Sequence, residues 1–228
     1  PGGVLRYGIP EFRLPNYLID DVVKKISAMR GKFVDNFIVG KTATLEELKR
    51  AGFWKIFVGT GAGLPRFMNV PGEHLNGIVS ANEFLTRVNL MKANLDDYET
   101  PLPEVNGREV IVIGGGNTAM DCCRTSKRLG GEDVRVVVRS PFADMKASPW
   151  EKEDAMHEGI PIYDNHVPKE FVIEEGELKG MVFEKVEAQY DEDGKRSLVP
   201  TGEDPVFMEA DDVLMAIGQE NAFPWIER

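Results

Sequence analysis

The run Gly114-Gly115-Gly116-Asn117-Thr118-Ala119 fits G-x-G-x-x-A. Its surroundings give it chemical meaning: the apolar Val110 to Ile113 comes before it and a helix-forming stretch comes after. In that setting Gly114 permits a tight turn and Gly116 lets a ligand pyrophosphate approach the backbone. Ala119 keeps the helix close to the strand. The free N–H groups of Asn117 to Met120 would face the anion, helped by a helix dipole worth about 0.3–1 kcal/mol. A glycine-rich turn with no ligand shares the composition, but not the strand and helix on either side.

About 20 residues further on, a dinucleotide site that takes NADH places Asp or Glu on the ribose 2′-hydroxyl. This chain has Arg139-Ser140 there. A cation suits a 2′-phosphate, so the expected cofactor is NADPH, and Lys146 in the next loop can add a second charge. A solvated strand end accounts for Arg139 less well, and for Lys146 about equally well. The "VGTGAG" run at 58–63 resembles a second fingerprint but is disqualified by Leu64-Pro65-Arg66 immediately after it. Pro65 has no N–H and restricts Leu64, so no helix with free donors opens there. "MAIGQ" at 215–219 is a similar small-residue turn ending an apolar strand, where backbone can lie against a flat ring.

Other reactive side chains are poorly placed for chemistry. His74, His157 and His166 lack metal-ligand spacing and read as solvent-exposed. The adjacent Cys122 and Cys123 cannot sensibly bridge each other and lack C-x-x-C spacing, so core packing is expected. Asp191-Glu192-Asp193 beside Gly194 reads as a solvated turn. No catalytic residue and no metal ligand is assigned.

These residues need elements to hold them. Apolar spacing from Asn16 to Met29 predicts a helix. "KFVDNFIVG" predicts a strand ending at Gly40, and "FWKIFVGTGAG" a buried strand entering a glycine turn. Three pairs have capping-box spacing: Thr44 with Glu47, Ser80 with Glu83, and Ser148 with Glu151. Residues 96–107, with two prolines, read as a linker. From Glu109 the order is strand, glycine turn, helix and "DVRVVVRS", a β-α-β unit that implies a parallel pair. From about residue 170 short strands alternate with turns at Glu175-Gly176 and Asp193-Gly194, an antiparallel meander that returns to the apolar "DVLMAIG".

Charge and hydropathy exclude several classes. The 228 residues carry a net charge of −11 with the acid spread along the chain. That argues against nucleic acid or an anionic membrane as the main partner, since both need clustered Lys and Arg. No apolar run approaches the roughly 20 residues that cross a bilayer, and no leader is visible, so a cytoplasmic location is expected.

Five blocks in order, "GGVLRYGIPEFRLP", "GTGAGLPRFMNVPGEHLNGIVSANEFL", "VIGGGNTAMDCCRTSKRLG", "DMKASPWEKEDAMHEGIPI" and "VLMAIGQ", resemble the glutamate synthase small-chain family. They are also similar to the large subunit of electron-bifurcating ferredoxin:NADP oxidoreductases. The resemblance covers nearly the whole chain. It implies a glutathione-reductase-like pair of dinucleotide domains, α/β in class. One is a Rossmann-like, three-layer NADPH domain with an antiparallel meander, at 106–219. An incomplete FAD domain and linker occupy 1–105, and 220–228 starts the return to the FAD domain.

By the same resemblance hydride passes from NADPH to FAD and electrons go on to iron–sulfur clusters. The FAD fingerprint, its closing segment and the cluster cysteines would lie outside this stretch. Gly114, Gly116, Asn117, Thr118, Ala119 and Arg139 carry over as NADPH contacts, with Lys146 beside them and Gly218 and Gln219 near the nicotinamide. Gly2, Gly3, Arg6, Tyr7, Thr60 and Gly61 carry over as the residual FAD side. Relatives often have two basic residues where this chain has Arg139 and Ser140, a departure that weakens the NADPH assignment without reversing it, since no carboxylate replaces the lost charge. The implied partner is an iron–sulfur or glutamate synthase large-chain-like subunit, or a second copy joined through an exposed strand edge. Two alternatives stay open at this point: an electron-bifurcating subunit, and a non-catalytic dinucleotide-binding or assembly module.

Overall fold

The computed structural model describes residues 1–95, 101–102, 104–193 and 196–223. Two elements open the chain, the single-turn α1 (Val4–Tyr7) and α2 (Asn16–Ala28), which is the helix expected there. Next, α3 (Leu45–Arg50) starts at Thr44 with both halves of its capping box formed: the Thr44 hydroxyl accepts from the Glu47 N–H, and Glu47 accepts from the Thr44 N–H.

Neither strand expected in this region forms. Residues 32–40 have only an isolated bridge between Val39 and Ala43. Residues 53–63 have no regular structure, and Trp54 and Phe57 are 89% and 95% exposed. An apolar β-pattern becomes a strand only when a neighbouring strand takes up its N–H and C=O groups, and among the described residues none lies beside these segments.

From Leu64 onward the described chain is mostly in regular elements. It runs through β1 (Leu64–Pro65), β2 (Ile78–Ser80), α4 (Ala81–Asn89), β3 (Glu109–Ile113), α5 (Asn117–Arg128) and β4 (Asp133–Val137). A 3₁₀ turn at Phe142–Asp144 leads into α6 (Pro149–His157) and β5 (Ile162–Tyr163). After these come β6 (His166–Glu174), β7 (Glu177–Tyr190), β8 (Arg196–Pro200), β9 (Val206–Glu209), β10 (Asp212–Met215) and β11 (Gln219–Glu220).

Five strands make a parallel sheet in the order β2-β10-β3-β4-β5. The expected β-α-β unit is β3-α5-β4, and the final apolar strand is β10, inserted beside β3 at the centre. The sheet also recruits β2 and the adjoining helix α4 from before residue 106. The antiparallel layer has the expected meander, with β6 on β7 and both β8 and β9 pairing with β7. Its first turn has positive φ at both Glu175 and Gly176, the conformation that suits a two-residue hairpin. Gly194 of the second expected turn lies outside the described residues.

Side chains alternate across the parallel sheet because successive strand residues face opposite ways. Val110, Val112, Val134, Val136 and Leu214 pack under Phe84, Leu85, Met120, Cys122, Cys123 and Ala155 of the helices. Ile111, Ile113, Val137, Val213 and Met215 pack against Phe171, Met181, Phe183 and Met208 of the antiparallel sheet. Three layers result: helices, parallel sheet, antiparallel sheet. Being covered on both faces, the central strands read as unbroken apolar runs. The expected linker is partly built into this unit, since Val105 is buried in the helical layer and the Gly107 N–H donates to the Gly130 carbonyl. Residues 96–100 and 103 of that linker lie outside the described residues.

Candidate dinucleotide site

The glycine turn leaves β3 where the sheet order diverges, with β10 on one side and β4 on the other. In open α/β sheets ligands bind at the carboxyl ends of the strands at such a point. Each glycine there has a different neighbour. A Cβ on Gly114 would stand 2.3 Å from the Ala216 carbonyl oxygen, and its φ of +146° already excludes most side chains. On Gly115 it would stand 2.6 Å from Val138 Cγ2. Gly116 has nothing within 4 Å. The first two glycines are therefore required by packing, while the third leaves space against bare backbone.

Gly116 is the N-cap of α5, and no acidic residue occupies the first turn. The Ala119 and Met120 N–H groups donate to the Gly116 carbonyl at 3.0 and 3.3 Å, so the expectation that they face an anion is corrected. Those of Asn117 and Thr118 have no acceptor among the described residues. The Asn117 side chain is committed elsewhere, which leaves its N–H free. Its Oδ1 accepts from the Ser148 N–H at 2.8 Å, and its Nδ2 donates to the Ser148 hydroxyl at 3.4 Å. This engagement, together with the turn of Glu151 towards arginines, explains why Ser148 caps α6 without a side-chain hydrogen bond and the expected third box is absent. The second box is half formed: Ser80 accepts from the Glu83 N–H, while the Glu83 carboxylate pairs with Arg87.

The basic residues lie along one loop beside this turn. Arg139 comes just after β4 and is exposed. Lys146 is exposed between two buried neighbours, Met145 and Ala147, and the Ala147 N–H donates to the Gly115 carbonyl at 2.9 Å. That bond holds Lys146 next to the fingerprint. Neither cation has a carboxylate partner among the described residues. The loop is pinned at Phe142, whose N–H donates to Asp164 at 2.8 Å and whose carbonyl accepts from Lys152 at 3.2 Å.

Gly218 and Gln219 continue from β10 into β11, which pairs antiparallel with β1. The Gly218 carbonyl accepts from the Arg66 N–H, and Asn82 links the Gly63 carbonyl to the Gln219 amide. The two small-residue turns singled out in the sequence thus meet. Beside them an open pocket of about 440 Å³ is lined by Tyr7, Gly63, Ser80, Asn82, Arg87 and Met91, with Glu83 and Thr86. Tyr7 of the expected flavin side reaches it. Gly2, Gly3, Arg6, Thr60 and Gly61 do not line it, and Arg6 is tied to Asp20.

Both cysteines are fully buried, as expected for packing, and burial pushes the Cys123 thiol up to about 12. His74 and His157 are exposed. His166 departs from the exposed reading: it is half-buried, contacts the Asp164 carbonyl and stands edge-on to Tyr163.

A buried ionic cluster between α5 and α6 has no counterpart in the sequence reading. Arg13 Nη1 donates to both Asp121 oxygens at 2.7 Å, and its Nε pairs with Glu151 at 2.7 Å. Arg124, with 8% of its side chain exposed, contacts Glu151, Asp154 and Glu158. Burial pushes the Asp121 carboxyl up to about 6, opposed by the Arg13 bonds; burial also raises Asp212 to about 6, opposed by Arg108. Between the ordinary Asp value near 4 and 6, the folded chain binds protons that the unfolded chain has released. The stability these groups contribute is therefore greatest at low pH and is lost as pH rises through 6. Urea midpoints are expected to fall from pH 5 to pH 7, and to fall less in Asp121→Asn. An unchanged slope in that variant would exclude Asp121 as a source.

A parallel sheet with a glycine turn at its divergence, helices on one face and an antiparallel sheet on the other defines a dinucleotide-domain α/β protein. The family model for pyridine nucleotide-disulphide oxidoreductases matches residues 13–225, and the chain belongs to that family. It is 33% identical over 221 residues to the NADP(+)-dependent formate dehydrogenase subunit beta of Moorella thermoacetica, a match covering 96% of this chain and 30% of that protein. To the glutamate synthase [NADPH] small chain of Azospirillum brasilense it is 36% identical over 174 residues, covering 75% of this chain and 36% of that one. The chain thus spans about a third of the length of these curated relatives. Mycobacterium tuberculosis FprA in complex with NADPH superposes with a TM-score of 0.79 at 20% identity, over 97% of this chain and 62% of FprA, a likeness of fold. Among the described residues no helix is long and apolar enough to cross a membrane.

Proposed function

We propose that the chain binds NADPH across the glycine turn and forms the electron-input part of an FAD-containing, glutamate synthase-like oxidoreductase. The observation that carries this reading is the open face of Gly116, bordered by two unengaged N–H groups and by the exposed Arg139 and Lys146. The pyrophosphate would lie over Gly116 and the N-terminus of α5. The 2′-phosphate would lie on Arg139, with Lys146 in reach.

Bound nicotinamide and flavin would supply the redox chemistry, and the chain's own task is to hold and orient. Ala216 to Gln219, next to the Tyr7 pocket, is the segment we assign to the nicotinamide end, and that pocket to the flavin side. No side chain is assigned as an acid or base. The names of the two relatives, a subunit beta and a small chain, support a partner subunit of the iron–sulfur or glutamate synthase large-chain kind.

Calorimetric titration with NADPH and NADH tests the core of this reading. Arg139→Ala is expected to weaken NADPH by roughly 10–100-fold, the equivalent of about 1.4–2.7 kcal/mol and within the range for a hydrogen bond to a charged group. NADH should change less than about twofold, since Arg139 meets only the 2′-phosphate. Equal losses would overturn the role given to Arg139, and no binding of either nucleotide to the unaltered chain would overturn the site.

A further inference from the structure

Arg13 lies outside the glycine turn and its basic loop, yet it grips both helices that border them. Asp121 is one turn into α5 from Asn117, and Glu151 is the third residue of α6. The carboxylates of these two acids are 5% and 6% exposed, and the Arg13 fork spans them. Two further contacts join the same helix ends: Asn117 to Ser148, and the Gly115 carbonyl to Ala147. The separation of the two N-terminal turns therefore sets how the glycine turn faces the loop that carries Lys146.

The charges explain what Arg13 does there. Asp121 and Glu151 are like charges held in a poorly solvated gap, and Arg13 is the hydrogen-bond donor to Asp121. Arg124 serves Glu151 but is shared with Asp154 and Glu158. Without Arg13 a buried carboxylate would lose its donor and face a second one. The placement is fixed in advance: the N–H groups of Arg13 and Leu14 donate to the carbonyl of the buried Pro10. Phe12 lies against the guanidinium groups of Arg124 and Arg128 at 5.0 and 4.1 Å from its ring centre and shields the cluster. Six residues before Arg13 in the same segment, Tyr7 lines the neighbouring pocket.

We propose that Arg13 is a positioning residue of the nucleotide site, a cation that the segment before α2 wedges between α5 and α6 to hold their N-termini at the separation the nucleotide needs. The inference rests on the glycine turn being that site. Because Arg13 touches no part of the ligand, its loss acts on the shared pyrophosphate cradle and not on the 2′-phosphate.

The test is calorimetry with NADPH and NADH on the full chain and its Arg13→Gln and Arg13→Lys variants, with amide hydrogen exchange measured in each. Arg13→Gln is expected to raise both dissociation constants by a common factor of roughly ten, leaving their ratio unchanged. Arg13→Lys keeps the charge but cannot span both acids, and should fall in between. Exchange should quicken at residues 115–118 and 146–151 while β3 and β10 stay protected. Wild-type affinities in either folded variant would overturn the proposal, as would a loss confined to NADPH. If Arg13→Gln does not fold, the lysine variant decides. Failure of the unaltered chain to bind either nucleotide would instead remove the site itself, a distinct result.

Discussion

Gly116→Val is expected to abolish binding of both NADPH and NADH, by at least about 100-fold, or roughly 2.7 kcal/mol, while the melting temperature stays near that of the unaltered chain. The Cβ of a valine there has open space, because nothing lies within 4 Å of it, and the local φ of −104° and ψ of 175° suit a β-branched residue. Its methyl groups would fill the space against the first N–H groups of α5, where a phosphate must come to hydrogen-bond distance. Gly114→Ala is the contrasting control. Its Cβ would be driven to 2.3 Å from the Ala216 carbonyl, so β10 must move or the turn must open, and the protein should lose stability whether or not nucleotide is present. Normal binding by a folded Gly116→Val variant would mean that the anion does not pass over this turn.

The same contrast shows what the sequence could and could not reveal. The G-x-G-x-x-A spacing located the turn, but the reason for each glycine depends on residues far along the chain: Val138 for Gly115 and Ala216 for Gly114. The central strands β3, β4 and β10 were legible because burial on both faces leaves continuous apolar runs, a pattern local in sequence, whereas the short edge strands β2 and β5 carry no such run. Thr44 and Glu47 were legible for the same reason, since a capping box closes within four residues. Ser148 and Glu151 have the same spacing and do not close it, because Asn117 and two arginines compete for them from distant positions.

Residues 32–40 and 53–58 show the opposite error. Their β-branched and aromatic content states only that they suit a pleated, half-buried surface. It does not supply the neighbouring strand that would make them one. Arg13 was the least legible member of the buried cluster between α5 and α6. It lies 108 residues from Asp121, in a segment whose Pro and Tyr pointed to the flavin side, and no periodicity marks a charge that completes a distant cluster.

The largest expected loss of stability comes from the other face of the sheet. Phe183 is fully buried, the central strand β7 pairs it with Pro168 on one side and Val206 on the other, and it packs in the cluster that joins the two sheets. Phe183→Ala removes the aromatic ring from a layer that cannot collapse, because both sheets are held by their own ladders, so a cavity should persist. The expected cost is about 3–5 kcal/mol, a fall in melting temperature on the order of 10 °C for a chain of this size. Thermal unfolding or a urea titration would measure it, and a loss under about 1 kcal/mol would show that the two sheets can close over the gap. The effect should reach the proposed nucleotide site as well. Met215 belongs to the same cluster, Ala216 is the next residue, and the Ala216 N–H donates to Ile113 at 2.8 Å while its carbonyl abuts Gly114. Loosening the sheets at Phe183 therefore frees the strand end against which the glycine turn is braced. NADPH and NADH should weaken together in this variant, with their ratio kept, because the change acts through the glycine turn, which would serve both nucleotides alike.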